Sequence, residues 1–318
     1  MANDLTAPGE SKPCVFIHVN HKQILGALVG VQSLRRNSAH NEKFDVRLIE
    51  HKDYPFFLKR EGQPFLRDGV TRPWRNNDLQ SFTPLRFMPP ELMNYSGRAV
   101  VIDPDVFATG DVWDLLSRDM GGKAIMCRPR SRTNRRIDGP MATSVMLLDC
   151  AKLKHWRVED QFNSMFRLEL DYKDWITLKN EKRETIGLFE NSWNDLDVLN
   201  NQTQMLHTTK RWTQPWKTGL PIDFTPADKF KAFPPLGWLI RWRRRTFGDY
   251  AFLGRYRQHP DINQENYFFG LLKECLENGT VSMDMVRKQM THNHVRHDAI
   301  DVVEKVPPVD QTLHRLAA

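Results

Sequence analysis

Asp103-Pro104-Asp105 closes the apolar run Ala99-Val100-Val101-Ile102. Alternate residues of an extended chain point to one side, so both carboxylates can face a single cation. Pro104 fixes its own φ and drives Asp103 toward extended backbone. The motif then lies at the carboxyl end of a buried strand, where open α/β sheets take their ligands. Carboxylate oxygens suit Mg²⁺ or Mn²⁺, ions that substrate phosphates often complete. The plain alternative is a turn, because Asp-Pro often starts one and Asp-x-Asp is a short motif that arises by chance.

A second segment offers complementary groups. Met205-Leu206-His207 is followed by T-T-K-R-W-T-Q-P-W-K-T-G. A neutral imidazole at His207 can ligate a metal. Lys210, Arg211 and Lys217 can hold phosphates. The same residues also read as a structural histidine and a solvated basic loop.

These groups need a scaffold, and the chain supplies the pattern of one. Strand-like segments lie at 14–18, 44–49, 98–103, 123–127, 144–149, 185–189 and 205–208. Helical patterns lie at 22–36 and 151–170. Strands alternating with helices predict an α/β domain whose sheet is mostly parallel. Beyond Phe224 the prolines Pro226, Pro234 and Pro235 mark a linker-like stretch. A helix is predicted over 261–278 with Gly279 as its C-terminal cap. Ser282 is placed to cap one more helix. The expected organisation is a short lead at 1–12, a catalytic-type domain at 13–224 and a helical extension at 225–318.

Composition narrows the class. Of 318 residues 40% are hydrophobic, which excludes a disordered chain. No apolar run is long enough to span a bilayer, and the N-terminus has no secretory apolar core. A cytoplasmic protein is expected, with a peripheral place at the inner membrane face as a variant. The four cysteines are far apart in sequence, which favours free thiols over disulfides or a zinc site. A net charge of +7 suits an anionic partner.

As an ordered set these segments resemble the retaining family 8 glycosyltransferases, which include glycogenin-like and bacterial lipopolysaccharide galactosyltransferase-like enzymes. The likeness runs over about 15–223 and is that of a divergent bacterial-type member. V-V-I-D-P-D-V-F is similar to the family's L-Y-L-D-x-D-x-x strand end. His207 matches its third metal ligand. Thr83-Pro84-Leu85-Arg86-Phe87 is similar to its T-x-x-R-F/L stretch, and Met141 to Asp149 to its F-N-S-G-V-M-L-L strand. Trp193-Asn194 resembles a W-N pair ahead of the metal-binding histidine.

The resemblance implies a glycosyltransferase A-type (Rossmann-like) fold: a mixed, mostly parallel sheet flanked by helices, here with a C-terminal helical extension. It implies a metal-dependent retaining transfer of a hexose from a nucleotide diphosphate sugar, of the uridine diphosphate type, to a hydroxyl acceptor. Mn²⁺ or Mg²⁺ would be held by Asp103, Asp105 and His207. His18, Asn20, Arg86, Asp103, Lys210 and Lys217 would contact the donor. Asp171 or Asp174 would stand near the reacting carbon. The chain departs from the family at three places. F-N-S-G becomes Met141-Ala142-Thr143-Ser144, without the sugar-contacting Asn. H-x-x-G-x-x-K-P-W becomes His207…Gln214-Pro215-Trp216, without the Lys. The family's D-Q-D has only Asp171-Tyr172-Lys173-Asp174-Trp175 as its counterpart.

Two basic clusters stay open to two readings. Arg128, Arg130, Arg132, Arg135 and Arg136 form either a lid over an anionic ligand or a solvated loop. Residues 237–245, G-W-L-I-R-W-R-R-R, suit either a peripheral membrane contact, with a lipid-linked or glycan acceptor, or a helix packed by its tryptophans. Nucleic acid is not an expected partner, because no recognised binding motif accompanies the arginines. The alternative function is a non-catalytic nucleotide- or polyanion-binding protein on the same fold.

Overall fold

The computed structural model describes residues 11–78, 81–130, 139–224 and 252–317, with positions 239, 242–243, 246–247 and 250 between the last two stretches. In chain order the first half contains β1 (Cys14–Val19), α1 (Ile24–Arg36), β2 (Asp45–Glu50), α2 (Pro55–Leu58), β3 (Pro64–Arg67), β4 (Val70–Pro73), α3 (Pro89–Leu92), β5 (Arg98–Ile102), β6 (Val106–Ala108), α4 (Trp113–Leu116), β7 (Ile125–Pro129) and β8 (Met141–Asp149). Then follow α5 (Val158–Phe166), α6 (Tyr172–Ile176), β9 (Ile186–Leu188), β10 (Asp195–Leu196) and β11 (Met205–His207). Four helices end the chain: α7 (Ile262–Glu277), α8 (Met283–Thr291), α9 (Ala299–Lys305) and α10 (Val309–Ala317).

The main sheet has the order β2-β1-β5-β8-β7-β9. β1 runs parallel to β2 and β5, and β7 parallel to β9, while β8 is antiparallel to both its neighbours. This is the mixed, mostly parallel α/β sheet expected from the sequence. Val15, Phe16 and Ile17 of β1 and Val100, Val101 and Ile102 of β5 are fully buried. Strands covered on both faces carry such unbroken apolar runs. All four cysteines are buried free thiols.

The helix expected over 151–170 is shorter, because Trp156 must reach the core. Trp156 is fully buried, with its ring 4.9 Å from that of Phe87. The chain turns inward there, and α5 starts only at Val158, whose N–H donates to Glu91 Oε1 at 2.7 Å.

The C-terminal helices are packed onto the sheet domain. Tyr267, Phe268 and Leu271 of α7 share one apolar cluster with Leu25 and Val29 of α1, Phe107 of β6 and Leu206 of β11. Gly279 follows α7 with a φ of +78° and Ser282 caps α8, as expected. Among the described residues no helix is long and apolar enough to cross a membrane.

A short stem precedes α7. Gly219 N–H donates to Tyr256 O, Tyr256 N–H to Leu220 O and Ile222 N–H to Gly254 O, at 2.9, 2.9 and 3.1 Å. Leu220, Ile222, Phe224 and Tyr256 bury a small cluster of their own. The stretch between Phe224 and Leu253 therefore leaves and re-enters the domain at one place. It holds Leu239 and Trp242, both exposed, while Trp238, Ile240, Arg241, Arg244 and Arg245 lie outside the described residues. So do Arg132, Arg135 and Arg136 of the other basic cluster.

Candidate metal centre

The site is assembled by one change of sheet. β5 ends at Ile102, and Asp103 N–H donates to Ser144 O of β8 at 2.9 Å. Asp103-Pro104-Asp105 then carries the chain into β6, which pairs antiparallel with β11 so that Val106 faces His207. Thr208 donates to Asp105 O through both its N–H and its hydroxyl, each at 3.1 Å. Strand pairing thus brings His207 beside a carboxylate over 100 residues away in sequence. Helix α1 presses on the same turn: a Cβ added at Gly26 would stand 2.6 Å from Pro104 O.

Asp103, Asp105 and His207 each offer a ligand atom, and the three atoms lie within 4.8 Å of one another. His207 Nε2 is 3.3 Å from Asp105 Oδ1. His207 Nδ1 lies 2.9 Å from Asn194 Oδ1 and donates to it in the tautomer that leaves a lone pair on Nε2. A lone pair facing a carboxylate oxygen at that range is unfavourable until a cation or a proton lies between them. Two carboxylates and one imidazole suit Mn²⁺ or Mg²⁺, so the residues fit the expected ion.

Each ligand is held from behind. Gln214 Nε2 donates to Asp105 Oδ2 at 3.2 Å. One Arg86 nitrogen donates to both Asp103 oxygens at 2.6 and 2.8 Å, and the other to Thr143 Oγ1 at 2.6 Å. Thr143 in turn donates to Ile176 O at 2.6 Å. His18 Nε2 lies 3.2 Å from Asp103 Oδ1.

The charges follow from burial and these partners. Burial pushes the Asp103 carboxyl up, and the Arg86 guanidinium opposes it without reversing it. Burial, reinforced by Arg86, holds His18 well below the usual histidine range, so it stays neutral. Burial pulls His207 down, but the Asp105 carboxylate outweighs it and the net shift is upward. A proton and a metal ion therefore compete for the same atoms. Both shifts are upward, so metal affinity is expected to strengthen as pH rises through neutrality. Mn²⁺ titrations in acidic and mildly alkaline buffer check this, and an affinity independent of pH would contradict it.

The two carboxylates, Asp103 and Asp105, border a cleft of about 150 Å³, with His207 buried behind them. His18, Gln23, Arg86, Tyr172, Arg211 and Gln214 also line it. Of the candidate donor contacts, His18, Arg86 and Asp103 are therefore brought together. Asn20 lies just outside, where its Oδ1 accepts from Lys22 N–H at 3.1 Å and turns the chain into α1. Lys210 is exposed beyond the cleft, with its backbone N–H bonded to Asp197 Oδ1 at 2.9 Å.

Lys217 is a correction to the sequence reading. It is fully buried, and its Nζ is paired with Asp223 Oδ2 at 3.1 Å. Tyr256 OH donates to the other oxygen of Asp223. Burial lowers the pKa of Lys217, and the charged group braces the stem instead of meeting ligand. The cleft-lining cation of this segment is Arg211, which lies over the Phe224 ring at 5.6 Å and forms no ion pair among the described residues.

Asp171 and Asp174 are corrected in the same way. Asp171 caps α6 and accepts from the amides of Asp68, Gly69 and Lys173 at 3.0, 2.8 and 2.7 Å. Burial raises its pKa, but the backbone amides together outweigh it, for a net lowering. Asp174 Oδ2 accepts from Lys179 Nζ at 2.8 Å. Neither carboxylate lines the cleft, whereas Tyr172 and Ile176 between and after them do. Gln214 and Thr143 are site residues that the sequence pointed to only as departures from a family motif.

No protein-family model matches the chain, and no curated protein does. Among solved structures the chain is similar to the galactosyltransferase LgtC in complex with donor and acceptor sugar analogues, with a TM-score of 0.46 and 12% identity over 64% of this chain and 89% of that one. It is also similar to the glycosyltransferase GlyE of Streptococcus pneumoniae TIGR4, with a TM-score of 0.44 and 17% identity over 64% of this chain and 57% of that one. Mouse xyloside xylosyltransferase 1 matches with a TM-score of 0.40 and 10% identity over 63% of this chain and 98% of that one.

Proposed function

We propose that this chain is a metal-dependent retaining glycosyltransferase of the family 8 type, which moves a hexose from a uridine diphosphate sugar to a hydroxyl acceptor. The observation that carries this reading is the Asp103–Asp105–His207 cluster, whose two carboxylates follow a central strand and line the cleft. The remaining motifs of the ordered set, at 83–87, 141–149 and 193–194, also support it.

A divalent ion held by these residues would neutralise charge on the leaving diphosphate as a Lewis acid. Arg86 keeps Asp103 oriented and offsets its charge. Gln214 fixes Asp105. Arg211 stands at the cleft with its guanidinium available to the diphosphate, an electrostatic contact that counts for more as charge develops on the leaving group. Among the described residues no third carboxylate lines the cleft. The acceptor hydroxyl would attack from the face the diphosphate leaves, and a diphosphate oxygen would take its proton.

Two measurements test this reading. Calorimetric titration of nucleoside diphosphates with and without Mn²⁺ should show metal-dependent binding of one nucleotide, and no binding under either condition would overturn the proposal. Arg211→Ala should weaken nucleotide binding about 10-fold, as the loss of one charge-assisted bond predicts. Lys210→Ala should leave it unchanged.

The acceptor side carries a second part of the proposal, a peripheral contact with an anionic bilayer through 237–245. The exposure of Leu239 and Trp242 within it, and of Phe247 and Phe252 beyond it, supports it. Co-sedimentation with anionic but not neutral vesicles is the expected result.

A further inference from the structure

Asn194 is fully buried at the meeting point of three strands and touches no part of the cleft. Its Oδ1 faces His207 Nδ1 of β11 at 2.9 Å. Its Nδ2 donates to Ser144 Oγ of β8 at 2.9 Å. Its backbone carbonyl accepts from Arg128 of β7 at 2.8 Å, just where the pairing of β7 with β8 shifts register. A buried amide in such a network has little freedom to turn.

The two ends of this amide impose opposite tautomers on the histidine. With Oδ1 toward the ring, Nδ1 carries the proton and Nε2 keeps its lone pair. With Nδ2 toward the ring, Nδ1 becomes the acceptor and the proton moves to Nε2, where it would point at Asp105. Only the first arrangement leaves His207 a ligand atom. Metal-binding histidines commonly depend on such an outer partner.

We infer that Asn194 is a positioning residue that holds His207 in its Nδ1–H form and aims Nε2 at the cation position beside Asp105. This rests on the metal reading of the Asp103–Asp105–His207 cluster. It assigns Asn194 no contact with substrate.

The test combines two readouts on the native protein, Asn194→Ala and Asn194→Asp. The first is the free-Mn²⁺ signal in electron paramagnetic resonance, which gives the affinity for the metal alone. Asn194→Ala is expected to weaken Mn²⁺ by about 10–100-fold. Asn194→Asp keeps an acceptor toward Nδ1, beside the Arg128 guanidinium, and is expected to restore most of the affinity. A purely structural role would not be rescued by introducing a charge. The second readout is the ¹⁵N spectrum of the histidines in metal-free protein in mildly alkaline buffer. Neutral His207 is expected to carry its proton on Nδ1 in the native protein and to become a tautomer mixture in Asn194→Ala.

A native proton on Nε2, or unchanged Mn²⁺ affinity in Asn194→Ala, would overturn the inference. If the native protein binds no Mn²⁺, the metal reading fails and the inference with it, whatever the tautomer. Should Asn194→Ala not fold, Ser144→Ala removes the acceptor for Nδ2 and is expected to weaken Mn²⁺ by a few-fold. No change in that variant would then count against the inference.

Discussion

Asp105→Ala is expected to abolish Mn²⁺-dependent nucleotide binding, with affinity falling by at least about 100-fold. Losing a residue that only orients a ligand already costs about 10–100-fold, and losing the ligand itself costs more. Asp105 also organises its surroundings: one oxygen faces His207 Nε2 and the other accepts from Gln214. Its removal leaves the buried Gln214 amide without that partner, a local cost of about 1–3 kcal/mol. The fold should survive this, because the backbone carbonyl of Asp105, not its side chain, is tied to Thr208. Titration calorimetry with and without Mn²⁺, alongside circular dichroism, separates loss of the site from loss of the fold. Retained metal-dependent binding by a folded variant would remove Asp105 from the centre.

Arg86→Met is expected to cost more in stability than any other single change at the site. Arg86 and Asp103 are both largely withdrawn from water and joined through two bonds to the carboxylate. Breaking a buried pair by deleting one partner costs about 3–5 kcal/mol, because the remaining charge is left uncompensated. Thr143 also loses its donor. A fall in the urea midpoint with an unchanged slope would report the loss. Arg86→Lys should recover only part of it, since an ammonium cannot reproduce the forked contact to Asp103 and Thr143. Full stability in Arg86→Met would mean that the pair contributes nothing net.

The carboxylates of the centre were legible because the chemistry needs little context. Two Asp residues flanking a Pro after a β-branched run fix both the residue types and the side they face. His207 was legible only as a partner to them, since what brings it close is the pairing of β6 with β11. Three-residue strands leave almost no periodic signal. Gln214 and Asn194 act through bonds set by that register, which spacing along the chain does not encode.

The errors have equally specific causes. Asp171 was read as a reactive acid, yet Asp followed by a short helical stretch is also the pattern of an N-cap. The Asp68-Gly69 turn that supplies two of its donors carries the residue pair most typical of tight hairpins, with φ of +55° and +71°. Lys217 was read as a phosphate ligand because a lysine in a polar segment is usually exposed. Its burial depends on Asp223 and on Tyr256, which returns from beyond the stem.

That stem has an evolutionary consequence. The Lys217–Asp223–Tyr256 brace and the backbone ladder fix both ends of the 225–252 excursion next to Arg211 at the cleft. Lengthening a closed loop adds only about 0.6 kcal/mol per doubling. The excursion can therefore be extended, shortened or exchanged for an unrelated sequence while Asp103, Asp105 and His207 keep their places. Change in the excursion is thereby uncoupled from change in the Asp103–Asp105–His207 cluster.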